Sequence, residues 1–437
     1  MGTAVLFVVL FAMLFLGVPV GFAIGGATMV AMYFFTNMNM VTVAQFCYSG
    51  INSFTVMAIP FFLLAGVIMS TGGIAAKIVD FAYSLIGFVT GALGAVTVVA
   101  CMFFGALSGS GMATTSAIGS MMIPEMKKKG YDVPYSTTLV CFAGTIGIII
   151  PPSLGYVLYG STTGTSISDL FLAGIFPGIT IGLFLLAMNY YMCRKLSIGE
   201  KEQRDKEIAL KDFMKERAKS VVVSFKTSFW ALLSPVIILG GIYSGVFTPT
   251  EAACVSVVYS LVVSMFVYKE LDAKGLYKTF VETAILNGIT SFLLGFSTVF
   301  STYMAYENIP KQIYTMLIAF TDNKLIMLLL INAVLLVIGC FLDTVPAIII
   351  MGPILLPAVV GYGVNPVHFG IIMTMNLAIG LCTPPYGCNL FVGAAVAKIK
   401  MESMFKYIVP FLLVVIAALM VITYVPALSL VLLGGRA

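Results

Sequence analysis

Two pairs of adjacent prolines mark the residues in this chain most able to do chemistry. They interrupt the apolar segments IGIIIPPSLGYVLYG (Ile146–Gly160) and IGLCTPPYGCNLFVG (Ile379–Gly393). Proline has no N–H, so the carbonyl four residues earlier loses its helical donor. The carbonyls concerned belong to Gly147 and Ile148, and to Gly380 and Leu381. Each residue ahead of a proline pair, Ile150 or Thr383, is pushed out of helical geometry. A carbonyl left unpaired in hydrocarbon is costly and needs water, a protein donor or a cation. A small hard cation suits such oxygens, with sodium as the natural candidate and a proton as the other. Beyond each break a new half-helix is expected near Ser153 and Tyr386. Its free N–H groups and positive dipole end suit a carboxylate or sulfonate. One such break reads equally as a structural kink. Two at corresponding positions are the mark of a secondary-transporter site.

Two polar interruptions accompany the breaks. The stretch SGSGMATTSAIGS, Ser108–Ser120, carries glycines for a sharp turn and hydroxyls that can hold an ion or substrate. It reads as the tip of a re-entrant hairpin, or as a small-residue helix contact. The second centres on Asp343, between Gly339 and Pro346. A carboxylate at membrane depth is a functional candidate. It can bind sodium, carry a proton, orient a hairpin tip or serve structure alone. Asp80, Asp169, Glu251, Glu282 and Glu307 lie at segment ends, where interfacial solvation explains them. His368, the single histidine, is expected at the interface. No arginine lies within the long apolar segments, so an anion would be held by amides, hydroxyls, a bound cation or a lysine.

The elements that position these residues repeat. At a constant offset of 233, Gly119 pairs with Gly352, Pro124 with Pro357, Gly130 with Gly363 and Gly147 with Gly380. Pro151 and Pro152 pair with Pro384 and Pro385, and Gly160 with Gly393. Glycine and proline mark backbone shape, so an ungapped register implies two related halves. The first repeat is expected over 1–193, with scaffold helices, a hairpin near 97–123 and a broken helix at 135–165. The second is expected over 227–437, with scaffold helices, a hairpin near 330–360 and a broken helix at 368–397. Between them, 194–226 is a charged connector. Ten of the 23 Lys and Arg fall between Arg194 and Lys226, which makes this loop cytoplasmic by the positive-inside rule. Lys127–Lys129 follows the first hairpin, whereas Lys398–Lys400 follows the second broken helix, so the repeats are expected to be inverted.

Composition fixes the class. The chain is 60% hydrophobic and 9% charged, against about 25% charge in soluble domains. At about 20 apolar residues per span, roughly ten to twelve spans are expected. The fold class is therefore an all-α polytopic membrane protein. The net charge of +5 gives no reason to expect nucleic acid. No signal peptide is apparent. The eight cysteines form no CxxC pair, which suggests neither a disulfide framework nor a zinc site. With no HExxH and no Cys–His pairing, an intramembrane enzyme is poorly supported. A channel is the remaining class, and uphill flux would exclude it.

These segments resemble the large membrane subunit of the TRAP, or tripartite ATP-independent periplasmic, transporters. The likeness covers nearly the whole chain. It is strongest in GALSGSGMATTSAIGSMMIPEMKKKGYD, AGTIGIIIPPS, FLDTVPAIIIMGPILLP and NLAIGLCTPPYG. The resemblance implies a Na⁺-driven importer of a small organic anion in the bacterial inner membrane. A periplasmic binding protein would deliver the anion, and a small four-helix membrane subunit, here a separate chain, would pack alongside. It also implies a scaffold and a mobile transport domain with two hairpins, working as an elevator. One Na⁺ site would use Ser108 with Gly147, Ile150 and Pro152. The other would use Gly339, Gly380, Thr383 and Tyr386. Substrate would lie near Ser108, Ser110, Ser153, Asp343 and Asn389. The anion stays open among C4-dicarboxylates, sialic acid, other hydroxy or keto acids and sulfonates. A stand-alone Na⁺/dicarboxylate-type carrier, independent of a binding protein, is the alternative.

Overall fold

The structure is a computed structural model. It describes residues 2–36, 38–87, 89–196, 210–384 and 387–436, with the main chain alone at 210–218, 320, 435 and 436. Among these residues every regular element is helical. Five helices open the chain: α1 (Gly2–Phe15), α2 (Val20–Phe35), α3 (Val41–Ile51), α4 (Ala58–Thr71) and α5 (Ile74–Ile86). A helical hairpin follows, α6 (Ala92–Ser108) and α7 (Gly111–Lys128). Next is a broken helix, made of α8 (Val133–Gly144), the single turn α9 (Ile146–Ile149) and α10 (Leu154–Thr163), and then α11 (Ile167–Leu196).

The second half repeats the plan. It starts with α12 (Leu210–Tyr243), α13 (Pro249–Val262) with a π turn to Val267, α14 (Ala273–Tyr306) and α15 (Ile309–Phe320). Its hairpin is α16 (Lys324–Phe341) and α17 (Thr344–Gly361), and its broken helix is α18 (Pro366–Gly380) and α19 (Cys388–Ala397). The chain closes with α20 (Phe405–Tyr424) and the short α21 (Ala427–Leu430).

Local chemistry sets the turns. Gly109 ends α6 at φ +60°, a left-handed conformation that glycine adopts without strain. Ser110 then caps α7, its side chain accepting from the Ala113 N–H. Asp343 does the same for α17 through the Thr344 N–H. Asn365 caps α18, with Pro366 in the first turn where its missing N–H costs nothing.

The 233-residue offset holds in three dimensions. Adding 233 to Gly111–Lys128 gives Thr344–Gly361, the bounds of α17. The same sum carries α6 onto α16 and α10 onto α19 to within one residue, and α8 onto α18 to within three. It also carries α3 and α4 together into the single helix α14, a correspondence that the sequence motifs did not reveal. Packing is exchanged between the halves: α10 lies on α17, and α19 lies on α7.

Among the described residues, seven helices are long and apolar enough to cross a membrane, or nine if two bent pairs each count as one span. The bent pairs are α4–α5 at 66° and α8/α9–α10 at 42°. This is fewer than the ten to twelve spans expected. Glycine and proline cut several apolar stretches into helices of 10–17 residues, including α6, α18 and α19.

Candidate functional site

A cavity of about 680 Å³ lies where the two hairpin tips meet. Gly109–Met112 of the first tip and Asp343–Pro346 of the second line it, with Ile148, Leu154, Gly155 and Leu381 from the breaks. The facing wall is the start of α2 (Pro19–Phe22), Leu63 of α4 and α14 side chains between Leu286 and Leu293. At the 233 offset, Ser110, Gly111, Met112 and Ile148 correspond to Asp343, Thr344, Val345 and Leu381, and all eight line the cavity. The cavity therefore straddles the relation between the halves.

Its electrostatics are simple. Among the described lining residues there is no lysine, arginine or histidine, and Asp343 is the one ionisable group. The first residues of α7, α10 and α17, namely Gly111, Leu154 and Thr344, all reach the cavity. Three helix N-termini thus bring their positive dipole ends to one space, although the Thr344 and Leu154 N–H groups are already taken by Asp343 Oδ1 and the Gly109 carbonyl. Asp343 Oδ1 accepts from the Thr344 N–H at 2.7 Å. No lysine or arginine among the described residues pairs with this carboxylate. The site can attract an anion through main-chain dipoles and a cation through Asp343.

At the first break, Ile150 leaves the helix with ψ 127°. The Ser153 hydroxyl donates to the Ile148 carbonyl. The Tyr156 hydroxyl donates to the Ile149 carbonyl at 2.9 Å. No donor among the described residues reaches the Gly147 carbonyl. The hairpin tip presses on this point: a methyl at Gly147 would collide with Thr114 Oγ1 and lie 2.9 Å from the Ser110 carbonyl. Thr114 Oγ1 donates to that carbonyl at 2.8 Å and lies 2.8 Å from Ser108 Oγ. Ser108, Ser110, Thr114 and Gly147 thus form one oxygen-rich knot. Leu154 N–H donates to the Gly109 carbonyl at 3.3 Å, and the Pro152 carbonyl abuts Gly109, so the tip is bound to the break through main chain. The Ile150 side chain packs on Gly178 of α11, leaving only its main chain near the break.

The second break is built differently. Gly339 of α16 meets Gly380 of α18 in main-chain contact. The Gly380 carbonyl accepts from Thr383 N–H at 2.9 Å and the Leu381 carbonyl from Asn389 N–H at 3.0 Å. Both carbonyls that the prolines were expected to free are taken, because the chain turns back on itself and α19 donates its first-turn N–H. The Gly339 carbonyl has no donor among the described residues. Thr383 Oγ1 donates to the Ile379 carbonyl at 3.0 Å. Tyr386 lies outside the described residues. The new half-helix starts at Cys388, after Gly387 at φ +58°.

Of the residues expected around substrate, Ser110 and Asp343 line the cavity and Ser108 is buried just behind the first tip. Ser153 is not among the described lining residues, because its hydroxyl is spent on the break. Asn389 is not among them either; its Nδ2 donates to the Cys141 carbonyl at 3.3 Å and ties α19 to α8. His368, expected at the interface, is 2% exposed and packs its Nε2 3.3 Å from the Thr423 carbonyl. Burial against α20 won over its position at a segment start. Of the 194–226 connector, 197–209 lies outside the described residues, while 194–196 ends α11 and 210–226 opens α12. Sequence reasoning missed Thr114, although it stands within the quoted hairpin motif. It also missed the wall from α2 and α14, whose apolar residues carry no local signal.

Comparison with known proteins bears on this arrangement. Residues 7–428 match the family model described as "Tripartite ATP-independent periplasmic transporter, DctM component". The chain is 42% identical over 421 residues to the isethionate TRAP transporter permease protein DctMQ of Oleidesulfovibrio alaskensis, covering 96% of this chain and 65% of that protein. It is 39% identical to the C4-dicarboxylate TRAP transporter large permease protein DctM of Pseudomonas aeruginosa, covering 87% and 86%. It is 35% identical to the sialic acid TRAP transporter large permease protein SiaM of Vibrio cholerae, covering 96% of each. Among solved structures, the YdaH transporter of Alcanivorax borkumensis superposes with a TM-score of 0.61 at 14% identity, over 89% of each chain. That likeness is one of fold.

Proposed function

The chain belongs to the DctM family, the large permease component of tripartite ATP-independent periplasmic transporters, and from this premise we propose that it imports a small organic anion, carboxylate or sulfonate, in symport with Na⁺. The observation that carries this reading is the cavity between the hairpin tips: three helix N-termini and one carboxylate, with no basic side chain among its described lining. Helix N-termini stabilise an anion. Asp343 opposes it unless a cation or proton is bound as well, so anion and cation entry favour each other. The knot at Ser108, Ser110, Thr114 and Gly147 offers oxygens for one Na⁺, and the Gly339–Gly380 crossing with Thr383 a second position.

In this reading the two hairpins are re-entrant and, with the broken helices, form the transport domain. The arms containing α2, α4 and α14 form the scaffold. The cavity lies between the two groups, where an elevator movement would carry substrate past α14. Binding drives import only if substrate and Na⁺ together favour the closed, movable state over the empty one. The halves are inverted repeats, the 194–226 connector is cytoplasmic and the bilayer is the bacterial inner membrane. The partners are a small four-helix membrane subunit and a periplasmic binding protein. The isethionate relative, of which this chain spans 65%, has additional length in which a small subunit could be carried.

Reconstitution tests the proposal. The chain, its small subunit and its binding protein are placed in liposomes with an inward Na⁺ gradient. Isethionate, a C4-dicarboxylate and sialic acid, the anions named for its relatives, are offered in turn. Uptake that needs both the gradient and the binding protein is expected. Equal uptake without the binding protein would favour the stand-alone carrier. Equal uptake without the gradient would refute Na⁺ coupling.

A further inference from the structure

A second cavity, away from the hairpin tips, serves none of the roles above. Its volume is about 790 Å³, within the roughly 300–1,000 Å³ that takes an organic molecule rather than an ion. One wall is the end of α7, with Met122, Glu125 and, just beyond the helix, Lys129. The other is α12 from Lys219 to Thr227. α5 packs against both helices and lines the space between them with Val79 and Asp80, beside Leu93 of α6.

Both walls turn from charged to apolar along the cleft. On α7, Met122 is 2% exposed, and Lys129 lies seven residues on, about 10 Å along the axis. On α12, Lys219 precedes Val223 by about one turn. The charges are not matched within the cleft. Glu125 Oε1 lies 2.6 Å from Lys128 Nζ, and Asp80 Oδ2 lies 3.9 Å from Lys77 Nζ. Neither of those lysines lines the cavity. Among the described residues, Lys129 and Lys219 have no carboxylate within 4 Å. Four lysines thus surround two carboxylates, and the excess positive charge falls on the two lysines that line the cleft without partners. A free phosphate would leave the apolar walls uncovered, and an apolar helix would leave the lysines unpaired. An amphiphile with an anionic head answers both, as basic pockets between membrane helices do for anionic lipid headgroups.

We propose that this cleft binds an anionic phospholipid of the phosphatidylglycerol class. Its phosphate lies between Lys129 and Lys219, and an acyl chain covers Val79, Leu93, Met122 and Val223. In the orientation proposed above, the lipid comes from the cytoplasmic leaflet. It would join two parts of the fold: α5 is bound to α12, with Ser228 Oγ donating to the Lys77 carbonyl at 2.7 Å, whereas Lys129 ends the first hairpin. The site is independent of Na⁺ coupling.

Thermal unfolding of the full chain in neutral detergent, titrated with phosphatidylglycerol, provides the test. A ligand of the native state raises the melting temperature by mass action. Phosphatidylglycerol is expected to stabilise the protein, and phosphatidylcholine and inorganic phosphate to do so weakly at most. Lys129→Gln combined with Lys219→Gln is expected to raise half-saturating phosphatidylglycerol roughly thirtyfold. Both lysines are exposed, so the fold should survive the change. Lys274→Gln combined with Lys278→Gln, two exposed lysines at the start of α14, is the control and should keep the parental curve. An unchanged curve in the first pair would overturn the proposal. So would an equal loss in the control pair, which would indicate non-specific attraction. An equal response to phosphatidylcholine would overturn the role of the charge, and an equal response to inorganic phosphate would overturn the lipid. Loss of the response on adding the small membrane subunit would make the cleft a subunit contact and overturn the proposal as well.

Discussion

Alanine at Gly380 tests the second break directly. The new methyl would lie 2.5 Å from Gly339 Cα and C and 2.7 Å from its carbonyl oxygen, where ordinary contact begins at 3.4 Å. All three atoms are backbone, so no rotamer change relieves the clash. Subtracting 2.5 from 3.4 Å, α16 and α18 must part by about 0.9 Å. Such overpacking costs about 1–3 kcal/mol. Helix propensity returns about 1 kcal/mol for glycine to alanine. The difference leaves a folded protein. Cation ligands, however, tolerate distance errors of only about 0.2 Å. Half-saturating Na⁺ for uptake in proteoliposomes should therefore rise at least about tenfold, with the melting temperature little changed. Gly240→Ala, where no atom lies within 4 Å of the new methyl, is the control and should behave like the parent. A folded Gly380→Ala protein with normal Na⁺ dependence would show that the crossing holds no cation.

Asp343→Asn should abolish uptake while sparing the fold, because asparagine caps a helix as well as aspartate; melting and transport measured together check this, and Na⁺-dependent uptake at parental rates would refute a role for the charge. Asp343→Ala should lose uptake as well and about 1 kcal/mol of capping. Thr114→Val removes a hydroxyl from the first knot at nearly constant volume and should raise half-saturating Na⁺ about tenfold, read from uptake titrations. Ser153→Ala orphans the Ile148 carbonyl and should cost about 1–3 kcal/mol of stability. The same variant should leave the substrate half-saturation of uptake unchanged.

Much of the site could be read from punctuation. The glycines of Ser108–Gly111 announced a turn, Asp343 a polar interruption and the proline pairs two helix breaks, because each acts on its own stretch of backbone. What escaped was set by distant partners. The Asn389 N–H that closes the second break donates from beyond the prolines, and the Thr383 N–H turns back on Gly380 just ahead of them, and local rules for proline see neither. Ser153 was legible as the start of a half-helix near substrate, but its hydroxyl went to a carbonyl behind it. His368 began a segment after a turn, a position that reads as interfacial until α20 is seen to cover it. The cavity wall from Phe22 and Phe292 could not be picked out, since apolar residues on a membrane helix serve lipid and pocket alike. The repeat of the arms stayed hidden because α3 and α4, two helices with a turn between them, correspond to the continuous α14.

The crossed seating of α10 on α17 and of α19 on α7 has a consequence for how such a chain could arise. In a two-fold arrangement, whatever one copy gives its partner it receives back. A half-length ancestor would have kept its second half-helix uncovered until it met another identical copy. Pairing would have come first, and fusion of the two genes later. Two identical copies would carry the same residue at both tips, so the serine at one and the aspartate at the other, both lining the cavity, are a difference that only a joined chain can hold.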